Sequence, residues 1–348
     1  MLIRIADRVL QDAQWHPLLD VIASLVERNG NPHSFDPLDY SKLLASNWLA
    51  GAKGTRTLIA ATLAASAKSI ALQGISDAVT VEVDTNSSEA GETVGGVVHI
   101  HPFGALFLLT QPLQVIVEDE TTDGGFILWV ARALGIDIIA KAYRLGALSF
   151  RHAGGKGQMV KSASAISFGV WPRDMRPIRS MRLRAAAVLD SDAKHPTDAP
   201  NVTIRDAVAQ HVSFVHVLAR RTIENYVPGQ YLRARMGSGA RDRVEAYLRL
   251  TDPQRRHFPI KRGFRSETDV PVTQGELAVQ PGRSALEVAL YGGVTAEDWA
   301  MINSGFGDGV SAVFTDQRYR CEPNSIGLFD PTDTQELRSL LRRIVRNL

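Results

Sequence analysis

The sequence predicts an α/β protein built on a mostly parallel sheet flanked by helices, and three observations carry that expectation. Ala185-Ala186-Ala187-Val188-Leu189 is a short apolar run without a turn residue, halted by Asp190-Ser191-Asp192 and closed at Pro196. Leu113-Gln114-Val115-Ile116-Val117 repeats the plan: an apolar run, an acidic tip from Glu118 to Asp123, then helical spacing through Phe126, Ile127, Val130 and Leu134. Helical pattern separates the two runs, and strand–helix–strand alternation implies parallel strands joined by right-handed crossovers. A continuous apolar run of this length suits a strand buried on both faces, or else a piece of buried helix.

The elements before this unit read as follows. Ile5 to Arg28 places Val9, Leu10, Trp15, Leu18, Leu19, Ile22, Ala23 and Val26 at helical spacing, stopped by Asn29-Gly30-Asn31-Pro32. Pro37 to Gln73 is a second helical block, rich in alanine and leucine and interrupted at Gly51-Ala52-Lys53-Gly54. Val79 to Val83 and Gly96 to His101 alternate with period two around a polar loop, Thr85 to Thr93, which suggests a β-hairpin. The N-terminal part is thus expected to be mainly helical, with one hairpin.

After Leu113 come a strand at Leu148 to His152 and the turn Ala153-Gly154-Gly155-Lys156-Gly157, read as a tight strand-to-helix connection. That turn lacks the later Gly-Lys-Ser/Thr of a Walker A loop. Val212 to Leu218 is another short apolar run. From Glu267 the chain mixes short β-like segments with a helix at Ala296 to Asn303 and a basic terminal helix from Thr334. Ser304-Gly305-Phe306-Gly307-Asp308-Gly309 follows no strand pattern and reads as a turn. The expected division is 1–111, 112–264 and 265–348, the last an α+β extension.

Composition bounds the function classes. The 348 residues are 45% apolar and 22% charged, as in ordinary globular proteins, and no apolar stretch reaches the length of a membrane span. The N-terminus lacks a signal-peptide pattern and Cys321 is the single cysteine, so an intramolecular disulfide is excluded and a cytoplasmic location is expected. The net charge of +2 conceals an uneven distribution. Between Arg220 and Arg262 eleven Lys or Arg face four acids, and Arg173, Arg176, Arg179, Arg182 and Arg184 precede the Ala185 run. Basic zones beside a carboxylate cluster suit a polyanion, with solvated helix faces as the plain alternative.

The chemistry is expected at the acidic tips, because ligands of open α/β sheets sit beyond the carboxyl ends of the strands. Asp190 and Asp192 would repel one another in a partly dry cleft. A divalent cation relieves that conflict, and oxygen-only ligands favour magnesium or manganese. A solvated Asp-Ser-Asp turn is the alternative reading. His99-Ile100-His101-Pro102 matches the H-x-H-P core of the JAMM metalloproteases. The serine and aspartate that must follow in that motif are missing from Phe103 to Gln111, so these histidines read as structural.

Val117-Glu118-Asp119-Glu120-Thr121-Thr122-Asp123 and Leu189-Asp190-Ser191-Asp192 resemble the two acidic motifs of the TOPRIM domain. That metal-binding fold is shared by topoisomerases, primases, recombination mediators and OLD-family nucleases. Thr222-Ile223-Glu224-Asn225-Tyr226-Val227-Pro228 is similar to a segment of TOPRIM-like nucleases that accompany ATPases in bacterial anti-phage systems. The likeness runs from about Leu113 to Phe264. Two departures stand out: Asp119 replaces the usual glycine, and the second acid comes one residue late.

The resemblance implies a two-metal nuclease cutting DNA or RNA, with two Mg2+ or Mn2+ ions and, in a defence setting, a partner ATPase. Glu118, Asp190 and Asp192 would be catalytic acids and metal ligands. Asp123, or Glu120 in its place, and Glu224 would complete the metal shells, and Lys261 would neutralise transition-state charge. Arg182, Arg184, Lys194, Arg220, Arg221 and Arg262 would contact nucleic acid. A non-catalytic nucleic-acid-binding or sensor subunit, and a phosphatase acting on small phosphates, are the competing expectations. No membrane is expected as a partner.

Overall fold

The computed structural model describes residues 1–26, 33–50, 54, 56–61, 63, 79–168, 179–325 and 327–348. Two sheets organise them. The first has five strands in the order β2-β1-β3-β5-β4, formed by β1 (Leu2–Ile5), β2 (Ser34–Phe35), β3 (Thr80–Val83), β4 (Glu92–Val94) and β5 (Val97–Ile100). The second has four, β6 (Leu113–Val117), β7 (Leu148–His152), β8 (Ala185–Leu189) and β9 (Phe214–Val217), in the order β7-β6-β8-β9. Every pairing is parallel except β4 with β5. The α/β class and the mostly parallel sheet flanked by helices are therefore as the sequence predicts.

The N-terminal part differs from expectation. It carries a sheet of its own, and β3 and β5 lie side by side in parallel, Val81 opposite Val98, so they are not the arms of a hairpin. The antiparallel hairpin is β4–β5, turned by Gly95 and Gly96 at φ of 59° and 83°. Two successive positive φ values are what a tight hairpin turn of native twist demands, and glycine meets that demand without strain. Helices Asp7–Gln11 and His16–Val26 fall inside the predicted block. Of the second block, 51–53, 55, 62 and 64–73 lie outside the described residues.

The four-stranded sheet separates two apolar cores. Val115, Val117, Ala186 and Val188 face the C-terminal helices, together with Phe126, Val130, Phe258, Phe314 and Leu341. Ile116, Ala185, Ala187 and Leu189 face the other way, with Met159, Ala163, Ile3, Val83 and Ile100. Burial of β8 on both faces explains why its sequence is an unbroken apolar run. Along β6 and β8, Val115 stands opposite Ala186 and Ile116 opposite Ala187. Both strands therefore end side by side at the same edge of the sheet, one in Glu118 and the other in Asp190.

Candidate functional site: a carboxylate cluster braced by two lysines

Each acidic side chain reaches the site from a separate turn. Beyond β6, Asp119 does not disturb the chain by replacing glycine. Its Oδ1 accepts the backbone N–H groups of Thr121 and Thr122 at 2.9 and 2.7 Å, in the turn that leads into the helix Thr122–Ala133. Those bonds, the Thr122 N–H foremost, hold the Asp119 carboxyl below its usual range. The Asp119 N–H in turn donates to Asp123 Oδ2 at 3.0 Å, which aims Asp123 back over the strand end.

The Asp190-Ser191-Asp192 tip is fastened to the segment after β9. Ser191 Oγ donates to Arg220 O at 2.9 Å, and the Asp192 N–H to Arg221 O at 2.9 Å. Asp192 takes a φ of 53°, in the left-handed region that aspartate tolerates better than most residues. Asn201 Nδ2 donates to Asp190 O and to Asp192 Oδ2. Asp190 Oδ1 accepts the Ile223 N–H at 3.1 Å, tying the second motif to the third.

Ile223-Glu224-Asn225-Tyr226 is a buried turn of 3-10 helix whose side chains have separate tasks. Asn225 caps the turn and donates to Arg255 O and Phe258 O, each at 2.9 Å. Tyr226 Oη donates to Glu336 Oε2 at 2.6 Å and accepts the Arg220 N–H. Glu224 has no comparable structural partner. It is fully buried, Lys261 Nζ stands 2.8 Å from its Oε1, and among the described residues neither carboxylate oxygen receives an aligned hydrogen bond. A charge buried this deeply is retained only where nearby charge compensates it.

Lys156 is the residue that sequence reading missed. After β7 the chain turns through Gly154 and Gly155, with φ of 76° and 99°, and Lys156 opens the helix Lys156–Phe168. Its backbone N–H donates to Glu118 Oε1 at 3.1 Å and its ammonium contacts Asp192 Oδ2. One residue thus bridges the ends of β6 and β8, with a helix N-terminus behind it to favour negative charge. The available signal was a Gly-Gly-Lys turn after a strand of the same sheet as the acidic tips.

The acids feel one another. Burial, then the charges of Glu118, Glu224 and Asp119, push the Asp123 carboxyl up to about 6 against the Asp119 N–H. Burial, then Asp123, Glu224 and Glu118, raise Asp190 well above the usual carboxyl range, with Lys156 opposing. Burial pulls the Lys261 ammonium down, yet Glu224, Asp190 and Asp123 leave it raised overall. Glu118, Asp123, Asp190, Glu224 and Lys261 therefore share one electrostatic site, and Asp192 joins it through Lys156. Glu120 is exposed at the rim.

In donor chemistry these residues fit a hard divalent cation: every donor is a carboxylate oxygen, and two at Glu224 are buried without aligned partners. As the side chains stand, no group of three or more His, Cys, Asp or Glu among the described residues is gathered closely enough to hold an ion. Lys156 and Lys261 provide the neutralising charge instead. The histidines of the H-x-H-P motif are elsewhere: His99 pairs with Glu82 at 3.7 Å, and His101 Nδ1 caps the helix Pro102–Thr110.

Several arginines expected to contact nucleic acid have other work. Arg184 is 1% exposed and donates to the carbonyls of Gln111, Asn347 and Leu348. Arg220 is 5% exposed and locked to Asp333, with Asp330 and Asp252 beside it. Both are internal braces, not ligand contacts, because their donors are satisfied inside the fold. Arg182 and Arg184 also precede β8 while the aspartates follow it, roughly 16 Å away along a five-residue strand. Arg173 and Arg176 lie outside the described residues. Within the Arg220–Arg262 run, Arg233, Arg249 and Arg256 pair with Glu245, Asp298 and Asp252. Arg221 and Arg262 do lie on the site's side, whereas the Lys194 ammonium reaches Gly282 O at 3.3 Å.

No family model matches this chain, and neither a curated protein nor a solved structure matches it.

Proposed function

We propose that the chain is a divalent-metal-dependent nuclease of TOPRIM-like organisation that hydrolyses phosphodiester bonds in DNA or RNA. One observation carries the reading. Glu118, Asp123, Asp190 and Glu224 come from three chain segments to one edge of a parallel sheet, where burial and then the neighbouring carboxylates hold Asp123 and Asp190 above the usual carboxyl range. Carboxylates assembled at such cost to the fold are typical of functional sites.

In this reading Glu118, Asp123, Asp190, Asp192 and Glu224 hold Mg2+ or Mn2+, which supplies Lewis-acid charge neutralisation when bound. The bracing of Glu118 by the Lys156 N–H, and of Asp190 by the Ile223 N–H, fixes two carboxylates before substrate arrives. Lys261, partly exposed at the mouth, is placed to offset negative charge that grows on the phosphate oxygens. Water adds to phosphorus, one P–O ester bond breaks with its electron pair staying on the leaving oxygen, that oxygen takes up a proton to leave as a hydroxyl, and the proton lost by water passes to solvent or to a carboxylate of the cluster.

A second reading has a specific observation in its favour. Lys156 and Lys261 already neutralise the carboxylates, and the side chains are not drawn into a coordination group among the described residues. A module that binds nucleic acid without cutting it would be built this way. Incubation of the purified chain with plasmid, single-stranded DNA and transfer RNA separates the two, using magnesium, manganese or EDTA. Metal-dependent cleavage that is lost in folded Glu118→Gln and Asp190→Asn supports the nuclease. Cleavage that survives either substitution rules out the assignment.

A further inference from the structure

Beside the carboxylate cluster lies a cavity of about 370 Å³ whose walls include Asp192, Arg221, Lys261, Arg262, Arg265 and Arg283. Asp192 and Lys261 belong to both places, so cavity and cluster share a wall. Five cationic side chains line it, and among the described residues the only other carboxylate on its surface is Asp269, which sits against Arg262 and Arg265. Arg283 is held by the buried Glu287 at 2.6 Å. Asp192 is already matched by Lys156.

Arg221 differs from its neighbours. Its Nη1 donates to His257 O at 3.1 Å, and no carboxylate among the described residues lies within ion-pair distance of it. A cationic concavity of this volume accommodates a phosphate group with part of a nucleotide attached. Planar guanidinium groups suit its oxygens.

We propose that this cavity is a phosphate subsite, holding one phosphate group of a nucleic-acid strand next to the phosphate presented to the carboxylates. The inference rests on the nucleic-acid reading above and adds the register in which the strand enters. The group is either the monoester at a strand end or an internal diester, and the two sources share the same recognition chemistry.

The test measures anisotropy of a short 3′-labelled single strand, bearing a 5′-phosphate or a 5′-hydroxyl, with the full chain in EDTA and again in calcium. Wild type is compared with Arg221→Gln and with Arg262→Gln. The second side chain is 78% exposed with its partner at 3.8 Å, so its replacement leaves folding intact. Affinity is expected to fall about tenfold in Arg221→Gln, and the salt dependence of binding to lose about one ion in each variant. Tighter binding of the 5′-phosphate strand assigns the subsite to ends, and equal binding of both strands assigns it to internal diesters. Unchanged affinity and salt dependence in both variants, or no binding by the wild type, overturns the proposal. A chain that binds in this manner but never cuts refutes the nuclease alone. One that cuts while both variants bind like wild type refutes the subsite alone.

Discussion

Lys261 Nζ stands 2.8 Å from Oε1 of Glu224, a carboxylate without solvent exposure, while the lysine itself remains partly exposed. The asymmetry makes the two residues unequal in what their removal does. Lys261→Met strands a buried charge and is expected to cost about 3 kcal/mol, the lower end for breaking a buried pair because solvent reaches the lysine side. Glu224→Gln frees an ammonium that water can solvate and costs less, about 1 kcal/mol. The double substitution is then expected to be more stable than Lys261→Met alone, by about 1–2 kcal/mol. Urea denaturation of the four proteins checks this. Strict additivity would show that the contact contributes nothing.

Lys156 joins two carboxylates in a different manner, its backbone to Glu118 and its ammonium to Asp192. Lys156→Met keeps the first contact and removes the second. Asp192 is 38% exposed and can be hydrated in its place, so stability is expected to change by less than about 1 kcal/mol. Cleavage is expected to fall on the order of 10²-fold, the usual loss when one positioned cationic or donor group is removed from a phosphoryl site. Single-turnover cleavage alongside thermal melting separates the effects. A large loss of stability with unchanged cleavage would make Lys156 a structural brace only.

How far these residues were legible in the sequence depends on what kind of signal each one carries. β6 and β8 are continuous apolar runs ended by acids, so both the strands and the acids at their tips could be read directly. Glu224 could be read only as part of a recognised segment, since nothing in its local pattern shows that it is buried. Lys156 was hidden because a lone lysine after two glycines looks like any turn; only the pairing of β7 with β6 brings it to Glu118. Arg184 and Arg220 were misread for the opposite reason. Charge counted along the chain cannot distinguish a solvated arginine from one buried against carbonyls or aspartates. The N-terminal sheet was missed because β1 and β2 are short and are paired with strands distant in sequence.

The loop carrying Lys261 depends on two glycines pressed back to back. Gly263 and Gly305 both have φ of 66°. A Cβ on Gly263 would fall 2.1 Å from Asn303 O, and one on Gly305 would fall 2.4 Å from Gly263 N. Backbone bonds Phe306 N–H to Ile260 O and Gly307 N–H to Lys261 O, both 2.8 Å, lock the two segments together. This gives the Ser304–Gly309 turn its role as a buttress behind Lys261. Gly263→Ala combines left-handed strain of about 1 kcal/mol with a clash against backbone that cannot swing aside. A loss of more than about 2 kcal/mol is expected, whereas Gly239→Ala, where a Cβ meets open space, should change stability by less than about 1 kcal/mol. Equal melting temperatures for the two variants would contradict the buttress.

The acidic cluster leaves a signature in the pH dependence of stability. The Asp123 carboxyl is pushed up to about 6 in the folded chain, against about 3.9 for an unfolded aspartate. The native state binds this proton more tightly than the unfolded state. Asp123 therefore favours folding most when protonated, and that advantage is lost as pH rises from about 4 to above 6. The difference amounts to about 3 kcal/mol at most. His33, lowered by burial to about 2, and the Met1 amine, lowered to about 5, drive the whole-chain profile the other way. The contribution of Asp123 must accordingly be read as the difference between wild type and Asp123→Asn. That substitution is expected to gain stability relative to wild type across pH 4 to 7, by about 2–3 kcal/mol, and to show no further relative gain at higher pH. Because bound cations compete with these protons, manganese should raise the melting temperature of the wild type at pH 8 and not at pH 5. A difference between the two proteins that stays constant from pH 4 to 7 would mean that Asp123 is not held near its neighbours' charge.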